Sequence, residues 1–165
     1  MSSHQPVVTD QILELIESRS DEQRGNRKMS DEVVQALKDC GFYTMMLPKK
    51  WGGQEQRPQE FFREQIRIAE ADMSTAWASG IIAVHAFQIA LMSEEAQREV
   101  YESDPNTLVS SSYNPVGAKA ASCDGGFMLS GRWGWSSGSE HCSWALLGGV
   151  IPGDGYRTFL VPRDQ

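Results

Sequence analysis

A break in composition near Pro105 constrains this chain more than any motif does. Residues 1–105 carry 11 of the 15 Lys and Arg and 18 of the 22 Asp and Glu, but five of the 15 glycines. Residues 106–165 carry ten glycines, three of the five Trp and eight charged residues. Charge-rich, glycine-poor sequence reads as amphipathic helices, whereas Gly-, Ser- and Trp-rich sequence reads as short strands and turns. The expected fold class is α+β, with an α-helical domain over 1–105 and the start of an antiparallel β-domain over 106–165.

The first half is punctuated like a series of helices. Val8, Ile12, Leu15 and Ile16 repeat at helical spacing behind Thr9 or Asp10 as a cap. Ser30 caps DEVVQALKDC, with Asp31 and Glu32 in the favoured first turn and Gly41 as the stop. Pro48 and the Gly52-Gly53 pair break the chain again. Pro58 opens a helix whose stripe reads Phe61, Phe62, Ile66 and Ala69. A cap between Asp72 and Ser74 starts TAWASGIIAVHAFQIALM, apolar nearly all round and therefore expected to be buried on most sides. Ser93 begins a short polar helix that ends before Pro105. In the second half TLVSSSY, FMLSGRWGW, SWALLGGVI and RTFLVP read as strands, separated by DGG, SSGSE and PGDG turns. They are expected to pair as an antiparallel sheet packed on the helices. RTFLVPRDQ reads as a strand with no closing helix after it, so the 165 residues are expected to be a piece of something longer.

Several classes are excluded. Three scattered cysteines (Cys40, Cys123 and Cys142) form no C-x-x-C pair, so neither a disulfide framework nor a zinc site is expected. A net charge of −7 argues against nucleic acid as a partner. No run of about 18 apolar residues is present to cross a membrane. The polar N-terminus lacks the pattern of a signal peptide, so the cytoplasm is the expected compartment. No P-loop, G-x-G-x-x-G, H-E-x-x-H or G-x-S-x-G occurs.

Three places carry chemical interest. His85 lies in the middle of the most apolar helix, where an imidazole needs a hydrogen-bond partner. It reads either as a core histidine bonded to a carbonyl or as a donor or base lining a pocket. Trp77, two turns earlier, is expected to face the same cavity. Ser110-Ser111-Ser112-Tyr113 offers hydroxyls at a strand end, either as a ligand grip or as a solvated turn. Trp133 and Trp135, at i and i+2, are expected on one face of a strand beside Ser136 and Ser137. That arrangement suits a planar heterocycle, or else a Trp-lined sheet core. His141 reads as structural.

In order, these pieces resemble the acyl-CoA dehydrogenase superfamily. Leu47-Pro48-Lys49-Lys50-Trp51-Gly52-Gly53 matches its helix-breaking turn, and Asp124 to Gly138 is similar to its flavin-binding strand. The resemblance implies a helical domain and a β-domain cradling flavin against a C-terminal four-helix bundle that is missing here. Tyr113-Asn114-Pro115-Val116-Gly117 and Trp135-Ser136-Ser137-Gly138 depart from the dehydrogenase motifs. They resemble the oxygenase subunits of two-component flavin-dependent monooxygenases that hydroxylate phenols. By that resemblance, Ser137 approaches flavin N5, and Trp77, Ser111, Ser112, Tyr113, Trp135 and Ser136 bind the cofactor. His85 and Ser112 hold the phenolic hydroxyl, and His85 and Ser137 are the catalytic pair. A further site histidine is expected beyond residue 165. The implied cofactor is reduced flavin, FMN or FAD, delivered by a separate flavin reductase, with O2 and a small aromatic substrate as partners. Oxygen adds at flavin C4a, and the assembly is a homo-oligomer, a tetramer in relatives of full length. Two other readings stay open: a flavin dehydrogenase acting on acyl thioesters, and a chain that folds or associates without catalysis.

Overall fold

The computed structural model describes residues 6–164. Five helices come first: α1 (Asp10–Asn26), α2 (Asp31–Asp39), α3 (Pro58–Ala71), α4 (Met73–Ile89) and α5 (Glu94–Tyr101). Five strands follow: β1 (Val109–Ser112), β2 (Lys119–Cys123), β3 (Gly126–Ser130), β4 (Trp144–Ile151) and β5 (Gly155–Pro162).

The helix starts follow from local hydrogen bonding. The Ser30 hydroxyl accepts the Val33 N–H at 3.2 Å, the Asp72 carboxylate accepts that of Thr75 at 2.7 Å, and the Ser93 hydroxyl accepts that of Ala96 at 3.3 Å. Each satisfies one donor that a helix N-terminus leaves open. Thr9 precedes α1 without a side-chain bond to it. Gly41 stops α2 in the left-handed region, φ 81°. The turn at 47–53 docks α5 onto the domain. Leu47 is buried, Gly53 lies against the Leu47 backbone where a Cβ would not fit, and the Trp51 indole N–H donates to Gln97 at 2.9 Å.

Two helices bury other faces than their apolar residues imply. On α3 the buried residues are Phe61, Glu64 and Ile68, whereas Phe62 and Ile66 are exposed. Glu64 displaces them because its carboxylate accepts the Val8 N–H at 3.0 Å and pairs with Arg67 at 3.1 Å. Arg67 also donates to the Val8 carbonyl. A buried charge needs such partners, and these tie the segment before α1 onto α3. α4 is apolar all round but not covered all round. Met73, Trp77, Val84 and Phe87 form an exposed stripe, all within about 40° of Met73 at 100° per residue.

The strands do not form one antiparallel sheet. β1 pairs with β4 in parallel, with Val109 opposite Trp144, and β4 pairs with β5 antiparallel, giving the order β1-β4-β5. The parallel pair arises because residues 113–143 form a long crossover between β1 and β4. That crossover contains the β2–β3 hairpin, closed at Asp124-Gly125 with Gly125 at φ 81°. β2 (KAASC) has no apolar alternation and is formed by pairing with β3. β3 ends at Ser130, so 131–136 are not strand. Two cores join helices to strands. One includes Phe42, Phe61, Ile82, Leu108 and Cys142, and the other Leu47, Ile89, Tyr101, Val109 and Leu146.

Candidate flavin and substrate site

The crossover is pressed onto α4 at successive residues. The Trp77 indole N–H donates to the Ser137 hydroxyl at 3.3 Å. Gly138, at φ 72°, follows against Ile82, whose Cδ1 would stand 2.5 Å from a Cβ there. Trp77, Ser137 and Gly138 line a cavity of about 540 Å³ together with Met29, Met73 and Ala78. That volume is in the range of small-molecule sites. Arg24, Arg27 and Lys28 stand at its edge. Arg24 is in the last turn of α1, where a cation complements the helix dipole, and Arg27 and Lys28 follow its end; Arg24 and Lys28 pair with Asp21 and Asp31, each at 3.0 Å.

His85 does not line this cavity with Trp77. Eight residues of helix make two turns plus about 80°, so the two side chains diverge. Trp77 is 61% exposed and His85 is 2% exposed. The His85 Nδ1 lies 2.6 Å from the Val109 carbonyl. A carbonyl can only accept, so Nδ1 carries the proton and Nε2 keeps a lone pair. Nε2 has no hydrogen-bond partner among the described residues. Burial holds the imidazole pKa below its ordinary value, with the Val109 carbonyl opposing that shift. The carbonyl-bonded reading of His85 is therefore the observed geometry, and it leaves one ring nitrogen free to accept.

The other site residues separate into those brought together and those kept apart. The Ser112 hydroxyl is buried and donates to the Gly134 carbonyl at 2.6 Å, which ties the end of β1 to the crossover. No hydrogen bond joins it to His85 among the described residues. Ser111, on the opposite face of β1, is half-buried, as is Ser136. The Tyr113 hydroxyl donates to Gln88 at 2.6 Å, and its ring stands edge-on to His85 with centroids 6.5 Å apart. Trp133 and Trp135 do not share a strand face. Trp133 turns inward and donates to the Gly148 carbonyl at 2.9 Å. Trp135 is fully exposed at φ 59°, a strained conformation for a bulky residue and one that recurs at functional sites. His141 is held at the Met29 carbonyl, 3.1 Å from Nε2. Gln88 joins this set although no motif marks it. Its one signal in the sequence is a second polar residue, one turn beyond His85 on an apolar helix.

These residues fit a flavin. The Ser137 oxygen takes the Trp77 N–H and keeps its own proton and a lone pair for a heterocycle nitrogen beside the cavity. No group of His, Cys, Asp and Glu suited to a metal ion occurs among the described residues. No described helix is long and apolar enough to cross a membrane.

The helical half is that of the acyl-CoA dehydrogenase family, to which this chain belongs. The family's N-terminal domain matches residues 5–103. The chain is 41% identical over 163 residues to the oxygenase subunit HsaA of a flavin-dependent monooxygenase from Mycobacterium tuberculosis, covering 96% of this chain and 41% of that protein. It is 36% identical over 159 residues to the oxygenase component of p-hydroxyphenylacetate 3-hydroxylase from Acinetobacter baumannii, covering 94% of this chain and 37% of that one. The crystal structure of the M. tuberculosis HsaA monooxygenase superposes with a TM-score of 0.90 at 38% identity, over 98% of this chain and 46% of that chain. The chain thus spans about two-fifths of the length of these relatives.

Proposed function

We propose that this chain carries the flavin- and substrate-facing part of the oxygenase component of a two-component flavin-dependent monooxygenase that hydroxylates a phenol. The observation that carries the reading is that α4 bears a Trp77–Ser137 wall on one face and, on another, a neutral His85 whose Nε2 is left as an acceptor. Reduced flavin, FMN or FAD, supplies the activation of O2 when bound, and a separate reductase delivers it. Ser137 offers its hydroxyl at flavin N5, where it holds the N5 proton without adding charge. Trp77, Trp135 and Ser136 form the wall, and Ser111, Ser112 and Tyr113 flank it. His85 Nε2 accepts the proton of the phenolic hydroxyl, with Ser112 beside it, so that the ring gains phenolate character toward oxygen transfer. A positioned acid–base group contributes about 10²–10⁴-fold. The oxygenase is read as a cytoplasmic homotetramer.

The test supplies the oxygenase with a reductase, O2 and a panel of phenols. Wild type is expected to yield catechols. Ser137→Ala should divert the same oxygen consumption to hydrogen peroxide, and His85→Asn should lose product while still consuming O2. No hydroxylation of any phenol, or an unchanged product-to-peroxide ratio in both variants, would overturn the reading.

A further inference from the structure

Tyr113 is held from three directions. Its hydroxyl donates to Gln88 Oε1 on α4 at 2.6 Å. Its carbonyl accepts the Tyr156 hydroxyl of β5 at 3.0 Å. Its backbone lies on Gly148 of β4, where any Cβ would overlap the Tyr113 carbonyl. Gln88 follows His85 by three residues, so both lie on neighbouring faces of one turn of α4. The helix therefore grips the β1 segment twice, through His85 at Val109 and through Gln88 just past Ser112. Between these grips the Tyr113 ring stands edge-on to the imidazole. Tyr113 is 39% exposed and His85 is 2% exposed, so the ring that packs on the buried imidazole is itself open to solvent.

We propose that Gln88 is a positioning residue: by accepting the Tyr113 hydroxyl proton it fixes the Tyr113 ring as the wall against which a phenol is presented to His85 Nε2. Tyr156 and Gly148 hold the backbone of that wall. The inference rests on the reading of His85 as the phenol's acceptor, and it adds to that site two residues, Gln88 and Tyr156, that touch neither flavin nor phenol. A Gln at 88 does this without charge, and a neutral acceptor leaves the imidazole neutral. The held ring also packs on His85 and so contributes to its burial. Burial is the leading cause of its lowered pKa, and no charged side chain contributes to that shift.

The experiment follows the His85 imidazole by NMR in the full-length oxygenase, assigned by its loss in His85→Asn, with p-cresol as the probe. Gln88→Leu and Tyr113→Phe each break the same bond and keep the bulk of both side chains. Each is expected to raise the His85 titration midpoint toward the ordinary imidazole value and to weaken p-cresol binding about fivefold, the worth of one hydrogen bond. The Gln88→Leu/Tyr113→Phe double variant should do no more than either single change, because the two act through one bond. Gln88→Asn, which shortens the acceptor but keeps the amide, should lie between Gln88→Leu and wild type. An unmoved midpoint in both single variants, or additive effects in the double variant, would overturn the proposal. The expected pattern of midpoints with no p-cresol binding to any form, wild type included, would support the positioning by Gln88 and overturn the role given to His85. Tyr113→Phe removes one exposed oxygen, so the result stands even if Gln88→Leu fails to fold.

Discussion

His85 is a polar group on the most apolar helix, and its position depends on a single carbonyl. With Nδ1–H on Val109 the one donor of the neutral ring is satisfied, whereas a charged ring would add a second donor with no partner among the described residues. Its folded pKa is below the ordinary imidazole value, first because of burial. Between those two values the unfolded chain binds a proton that the folded chain does not. Stability therefore rises with pH through that window and is lost as pH falls from about 6.5 toward the folded pKa. The slope from this one group cannot exceed about 1.4 kcal/mol per pH unit inside the window. Urea midpoints at pH 7.5 and 5.5 should show the loss, and His85→Gln should reduce it. An identical pH dependence in His85→Gln would show that other groups set it.

Glycines in two elements illustrate how the same substitution changes sign. Gly148 continues β4 beside the end of β1, and an added methyl would overlap backbone at Tyr113 and stand 2.7 Å from the Tyr156 hydroxyl. Neither a strand backbone nor its parallel partner can yield cheaply, so Gly148→Ala should destabilise by about 1–3 kcal/mol. Gly25 is in the last turn of α1, and an alanine methyl there would meet nothing within 4 Å. Gly25→Ala should therefore stabilise by about 0.5–1 kcal/mol, because alanine loses less backbone freedom in a helix. Paired urea melts of the two variants check the opposite signs. The Gly148 change should also weaken the Tyr156–Tyr113 bond, which ties element stability to the site.

Across the whole molecule, apolar surface is distributed unevenly. Phe62 and Ile66 on α3 and Met73, Val84 and Phe87 on α4 are exposed, as is Leu91 just after α4. β1 and β5 are the edges of the three-stranded sheet. Exposed apolar side chains and open strand edges both promote association. The 165-residue chain should therefore sediment as concentration-dependent assemblies, and Phe62→Ser combined with Leu91→Ser should shift it toward monomer. A monomer at all concentrations would show that neither feature drives association.

Features closed within three or four residues were legible in the sequence. The caps at Ser30, Asp72 and Ser93, the start at Pro58, the stop at Gly41 and the Asp124-Gly125 hairpin turn are such features, because their hydrogen bonds and φ angles involve near neighbours. The helix-breaking turn at 47–53 was legible for the same reason. Partners distant in the chain decided the rest. Glu64 is buried and Phe62 exposed because the Val8 N–H and the Arg67 guanidinium satisfy its carboxylate. β1 pairs in parallel with β4 across 31 intervening residues, 113–143, that local pattern does not connect. The turn angle of α4 sends Trp77 to Ser137 and His85 to Val109. Residue types at the site can be read from the chain, but which of them touch is set by the packing of α4 against β1 and the crossover.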